Sequence, residues 1–234
     1  MGEAARRRAA GQVPALYHYT SLQHLPHILA DGCLQPARVQ EGHHCGILWL
    51  TRQPHYEPAS YRQGTAGAQM PVRFRVPPDY GRDWRRVSRA AGASDRWIVG
   101  IAEAGRKLGS DPAKWLATLD PIPVAGLTID APAGDAPVMR LQDALWVPVE
   151  GFSVEDTELD ETALGEVLDE MERARKAPGV DPRNAAKMTG TPTITSRVLL
   201  LDGIPGLVST QLRFPGGNCT YASTPAALVD TTAA

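Results

Sequence analysis

The residues best equipped for chemistry lie early in the chain, in Tyr17-His18-Tyr19-Thr20-Ser21. On a strand, Tyr17 and Tyr19 share one face and His18 takes the other, with Thr20 at the turn into whatever follows. An imidazole beside hydroxyls offers a fixed donor and a fixed acceptor, the chemistry that grips a polar ligand such as a ribose. The competing reading is a structural histidine whose ring nitrogens are tied to backbone. All six histidines fall between His18 and His55, and all five tryptophans between Trp49 and Trp146. Cys33, His43, His44 and Cys45, with His24 or His27, are ligand types that suit zinc. However, His43-His44-Cys45 are contiguous and cannot all converge on one ion from an extended chain, and there is no C-x-x-C pair. No metal ligand is therefore assigned, and a small zinc-binding protein stays an alternative. Arg82, Arg85, Arg86, Arg89 and Arg96, interleaved with Trp84 and Trp97, could neutralise phosphates and stack a base. They equally suit a solvated helix face offset by Asp79, Asp83 and Asp95.

Period and punctuation give the elements that hold these groups. Ala15–Tyr19 reads as a strand. Leu22, Leu25, Ile28 and Leu29 fall at helical spacing, with Ser21 as candidate cap, Pro26 in the first turn and Gly32 as the stop. Ile47–Thr51 and Val72–Val76 read as strands, the latter with Val72, Phe74 and Val76 on one face and Arg73 and Arg75 on the other. Further strands are expected over Lys114–Leu119, Val124–Ile129 and Leu145–Glu150, with a turn at Asp120–Pro123. Leu164, Val167, Leu168 and Met171 make an apolar stripe, predicting an amphipathic helix over Asp160–Arg175 with acids at its start and bases at its end. Val198–Leu201 reads as a buried strand or helical turn, and residues 222–234 as a frayed end. Short strands, one early helix and few long helices imply an α+β fold.

The run Tyr17-His18-Tyr19-Thr20-Ser21, the helix ending Asp31-Gly32-Cys33-Leu34, and Leu48-Trp49-Leu50-Thr51 together resemble the start of the ADP-ribosyltransferase fold. The likeness is to the branch of DNA-targeting ADP-ribosyltransferase toxins and tRNA 2′-phosphotransferases, and it extends over about residues 14–130. It implies split antiparallel or mixed sheets around an NAD cleft, with His18 and Thr20 on the NAD riboses. It also implies that Tyr19, Trp49, Thr51 and Arg52 line the cofactor site, with Trp49 and Thr51 beside the nicotinamide. Glycosyl transfer from NAD needs a carboxylate to stabilise the charge that develops as the glycosidic bond loosens. The expected late strand, Lys114–Thr118, has none. Glu150 and Glu103, following the strand-like apolar runs Trp146–Val149 and Ile98–Ile101, are the candidate catalytic acids beside His18. Arg52, Arg73 and Arg75 are candidate phosphate holders, or else the wet face of an edge strand. A non-catalytic module that keeps the fold is the alternative to an enzyme.

Charge and composition set the wider frame. The chain has 234 residues, 24 Lys+Arg and 26 Asp+Glu, a formal net charge of −2. Residues 1–150 hold 17 basic and 14 acidic side chains and residues 151–234 hold 7 and 12, with nine acids between Glu155 and Glu172. The organisation expected is a basic arm at 1–13, an ADP-ribosyltransferase-like domain at 14–150 and an accessory segment at 151–234. Arg6–Arg8 precede no apolar stretch and the three cysteines make no disulfide framework, so a reducing cytoplasm is expected. The partners implied are NAD, a nucleic-acid or protein acceptor and a neighbouring-gene antitoxin. No membrane association is implied, since charges or prolines break every apolar run.

Overall fold

A computed structural model describes residues 15–36, 46–58, 70–133, 144–176, 190–215 and 219–225. The basic arm at 1–13 and the His43-His44-Cys45 run lie outside these residues. The fold is mixed α+β with antiparallel sheets. Chain order begins with β1 (Leu16–Ser21), a 3-10 turn (Leu22–His24), α1 (Leu25–Asp31), β2 (Cys33–Leu34), β3 (Leu48–Thr51) and β4 (Pro71–Val76). It continues with β5 (Arg82–Asp83), α2 (Trp84–Ala90), α3 (Asp95–Lys107), β6 (Trp115–Thr118), β7 (Ile122–Pro123), β8 (Thr128–Pro132) and β9 (Trp146–Val149). The remainder is β10 (Phe152–Thr157), α4 (Glu161–Arg175), β11 (Thr193–Leu201), β12 (Ile204–Arg213) and β13 (Cys219–Pro225).

The main sheet runs β5-β6-β3-β1-β4-β8-β9, so β1 is central. A second sheet runs β10-β11-β12-β13, and β2 pairs β7. Along β1, alternation sends Leu16, His18 and Thr20 to one face, opposite Val76, Phe74 and Val72 of β4. That face carries the larger core, in which Leu16, Leu25, Leu50 and Phe74 pack with Leu199 of β11, and Phe152, Val154 and Leu207 add to it. The second sheet therefore closes over α1 and shares its core with the strand that carries His18.

The other face is covered at one end by α2 and α3. Asp83 caps α2 by accepting from the Arg86 N–H, and Ser94 caps α3 by accepting from the Trp97 N–H. Trp49, Trp84, Trp97 and Trp115 meet there with ring centroids 5.5–6.4 Å apart. Gly105 of α3 lies against the Trp115 ring, where a Cβ would overlap it. Alanine gains about 1 kcal/mol of helix propensity over glycine, whereas overpacking a filled core costs about 1–3 kcal/mol. The Trp115 ring is hemmed in by Trp49 and Trp84 and cannot yield. Gly105→Ala is therefore expected to lower stability by about 1–2 kcal/mol, read as a lower urea midpoint at unchanged m-value.

Several sequence expectations change. Ile98–Ile101, read as strand-like, belongs to the 13-residue α3, because its apolar side chains follow a helical stripe against the tryptophans. The turn expected at Asp120–Pro123 and the strand expected at Val124–Ile129 are offset. Ile122–Pro123 pairs with β2, and the chain turns at 124–127, where the Leu127 N–H reaches the Val124 carbonyl. Residues 222–225, expected to be frayed, continue β13. Ser21 does not cap a helix through its side chain: a 3-10 turn intervenes, and α1 starts after His24 with Pro26 in its first turn. Gly32, at φ 69°, stops α1 as expected. The amphipathic α4 forms as expected, with the Ala163 N–H held by Asp160 Oδ1 at 2.7 Å. Its Val167 joins Leu212 and Phe214 in a core of its own. No helix among the described residues is long and apolar enough to cross a membrane.

Candidate functional site

The main sheet opens at its centre. β1 is joined to β4 through six register pairs but to β3 through the single pair Tyr17↔Thr51. Past that pair the two strands part, and the His18 imidazole enters the split with Nδ1 2.9 Å from the Trp49 carbonyl oxygen. A carbonyl only accepts, so Nδ1 carries the proton and Nε2 of the neutral ring is an acceptor. Burial lowers the His18 pKa, outweighing the carbonyl bond that raises it, and keeps the ring neutral. His18 as a whole residue is half-buried.

Thr20 and His24, both half-buried, follow His18 along the chain. Thr20 Oγ1 is 3.0 Å from His24 Nδ1, and Ser21 Oγ 3.3 Å from the same atom. His24 is lowered to about 4, by burial first and then by the neighbouring His27 and His18. His27, one turn on, is buried and also lowered to about 4, by burial and then by the Arg197 cation. It is packed between α1 and the second sheet, with Ser209 of β12 and Arg197 of β11 as partners.

The expected cofactor residues do not gather on one face. His18 and Thr20 share the face of α1. Tyr19 and Thr51 point the other way, because residues one apart on a strand alternate and the Tyr17↔Thr51 pair shares Tyr19's face. The Trp49 ring is enclosed by Trp84, Trp97 and Trp115 on that second face, and only its carbonyl reaches His18. Arg52 is exposed at the end of β3, its N–H on the Lys114 carbonyl.

The candidate acids are also separated from His18. Glu103 is exposed on α3, which covers the second face. Glu150 is exposed after β9, three strands from β1 in the sheet order, or about 14 Å at the usual strand spacing. The carboxylate that sequence reasoning missed is Glu57. It is 3% exposed, with Oε2 accepting from Thr51 Oγ1 at 3.2 Å and Oε1 without a partner among the described residues. It lies on the second face, beside Tyr19, whose hydroxyl donates to the Gln53 carbonyl at 2.8 Å. No strand pattern marks it, since it sits in the loop after β3.

Arg73 and Arg75 are not the wet face of an edge strand. β4 is internal, and both guanidiniums converge on Asp130, which is fully buried: Arg73 Nε at 2.7 Å, Arg75 Nε at 2.8 Å and Arg75 Nη2 at 2.7 Å. Arg73 is further held between the Tyr17 and Trp146 rings, 4.8 and 4.7 Å from their centroids. In the basic stretch Trp84 is fully buried, so it offers no base-stacking surface, and Arg89 is paired with Asp95. Among the described residues no group of three or more His, Cys, Asp or Glu side chains could hold a metal ion. No protein-family model, no curated protein and no solved structure matches this chain.

Proposed function

We propose that the chain binds NAD at the split between β1 and β3 and transfers its ADP-ribosyl group to a nucleic-acid or protein acceptor, in the manner of a toxin or effector. The observation that carries the reading is the His18 ring itself: neutral and fixed in one tautomer by the Trp49 carbonyl, so that Nε2 is its acceptor atom. A ribose hydroxyl is such a donor, and Thr20, two residues along on the same face, supplies a second contact. In the transfer, the bond between ribose C1′ and the nicotinamide nitrogen breaks and its electron pair leaves with nicotinamide. The acceptor's nucleophilic atom then bonds to C1′ and releases its proton.

A second reading, a module that holds the dinucleotide without cleaving it, is supported by the acids. β6 carries none, Glu103 and Glu57 lie across the sheet from His18, and Glu150 is three strands away. Calorimetry with NAD, coupled to a nicotinamide-release assay, separates the two. Binding with release supports transfer, and binding without release supports the module. His18→Ala is expected to weaken NAD at least about tenfold, the scale of losing one buried hydrogen bond. Absence of binding at millimolar NAD would overturn both readings.

A further inference from the structure

The face of the main sheet away from His18 carries a second group of polar side chains that the dinucleotide reading does not use. Tyr17 and Tyr19 of β1, Arg73 and Arg75 of β4, Asp130 of β8 and Trp146 of β9 all stand on it. The Arg73 guanidinium lies between two rings, 4.8 Å from the Tyr17 centroid and 4.7 Å from that of Trp146. Both flat faces of the cation are thus covered, and only its edges remain for hydrogen bonds. Nε–H is spent on Asp130 Oδ2 at 2.7 Å, while Nη1 and Nη2 have no acceptor among the described residues. Buried polar groups ordinarily have partners, and Arg73 is only 6% exposed. Its Nη atoms are not sealed in: the sealed, partnerless side-chain atoms among the described residues are Glu57 Oε1, Ser88 Oγ and Trp115 Nε1. Arg75 shares the same acid, with Nε on Oδ2 at 2.8 Å and Nη2 on Oδ1 at 2.7 Å, which leaves its Nη1 free.

We propose that the free Nη edges of Arg73 and Arg75 form a site for the carboxylate of a small organic acid, on the opposite side of the sheet from His18. Asp130 offsets one of the two adjacent cations, and the charge left over matches a monoanion. A carboxylate is planar, and its two oxygens meet a guanidinium fork edge-on, the approach that the two rings leave open. Arg75, with a side chain 39% exposed, is the more accessible of the pair and meets an entering anion first. Glu57 is the other acid near Tyr19; it bonds Thr51 and pairs with neither arginine among the described residues. Its charge opposes a phosphate dianion more than a carboxylate. The site owes nothing to the dinucleotide reading.

The test titrates benzoate into the full-length protein and follows the Arg73 Nε–H and Trp146 indole N–H signals by nitrogen-15 NMR. Both signals are expected to shift and to saturate, with a dissociation constant on the order of 1 mM for so small a ligand. Arg75→Ala, a mild substitution for the fold, is expected to weaken benzoate at least about tenfold, the scale of one charge-assisted hydrogen bond. No saturable shift of either signal, or equal affinity in Arg75→Ala, would overturn the proposal. Inorganic phosphate saturating the same signals at lower concentration would overturn it too, by reassigning the site to a phosphoryl group. His18→Ala is expected to leave the benzoate titration unchanged. A benzoate response lost in that variant would move the ligand to the other face and sink the assignment. Failure to bind NAD leaves this result standing, so the two readings fail separately.

Discussion

Replacing Asp130 with alanine is expected to cost about 3–5 kcal/mol, the range for deleting one partner of a buried ion pair. Asp130 is fully buried and accepts three N–H bonds from two arginines. Without it, Arg73, only 6% exposed, holds a cation between two aromatic rings with no carboxylate beside it. The rings recover part of the loss, since a cation over a π face is worth about 0.5–2 kcal/mol, but not most of it. Arg75 reaches solvent along a side chain that is 39% exposed, so Arg75→Ala is expected to cost far less, about 1 kcal/mol. Urea unfolding of the two variants checks the ordering. A loss below about 1 kcal/mol for Asp130→Ala would mean the triad contributes little net stabilisation.

The second large effect is a loss of stability in mild acid. His24 and His27 titrate near 4 in the folded protein against 6.5 for a free histidine. A depressed folded pKa means that the unfolded chain takes up protons first. The stabilisation is complete above pH 6.5 and drains away as the pH falls from 6.5 toward 4. For either group alone the shift corresponds to about 3 kcal/mol. His27 faces Arg197 of β11, Arg213 and Ser209 of β12 and Asp156 of β10, and burial and the two cations outweigh the acid. His24 faces His27 and His18, which act in the same direction as its burial. Urea midpoints at pH 7.5 and pH 4.5 are expected to differ sharply in wild type and by markedly less in His27→Gln. A wild-type midpoint that is flat across this interval would contradict the neutral-histidine picture.

Much of this was legible in the residues. The alternation of Val72–Val76, the αL stop at Gly32 and the apolar stripe of α4 are local patterns, and local patterns survive folding. Ile98–Ile101 misled because a short apolar run fits a strand and a buried helix equally well. Alternation placed Arg73 and Arg75 on one face of a strand, but that face was expected to hold phosphate or meet water and not to be buried against a carboxylate. Naming Asp130 required knowing that β8 lies beside β4, which is a matter of register between segments 55 and 57 residues apart. Nor did any local signal reveal that β1 and β3 part after one pair, or that Glu57 turns inward. His18 was identifiable as a residue of interest, but its acceptor, the Trp49 carbonyl, is a backbone atom and has no signature in residue type.

The link from His27 to Ser209 spans 182 positions, so the N-terminal strand and helix leave the ribosome long before their partner is made. At about 5–20 residues per second, the interval is on the order of 10–40 s. Until β12 arrives, the Gln23 carbonyl lacks the Ser209 hydroxyl that donates to it, and α1 lacks the sheet that closes over it. Chains cut short of β12 therefore expose the apolar side of α1 that the second sheet covers in the full chain.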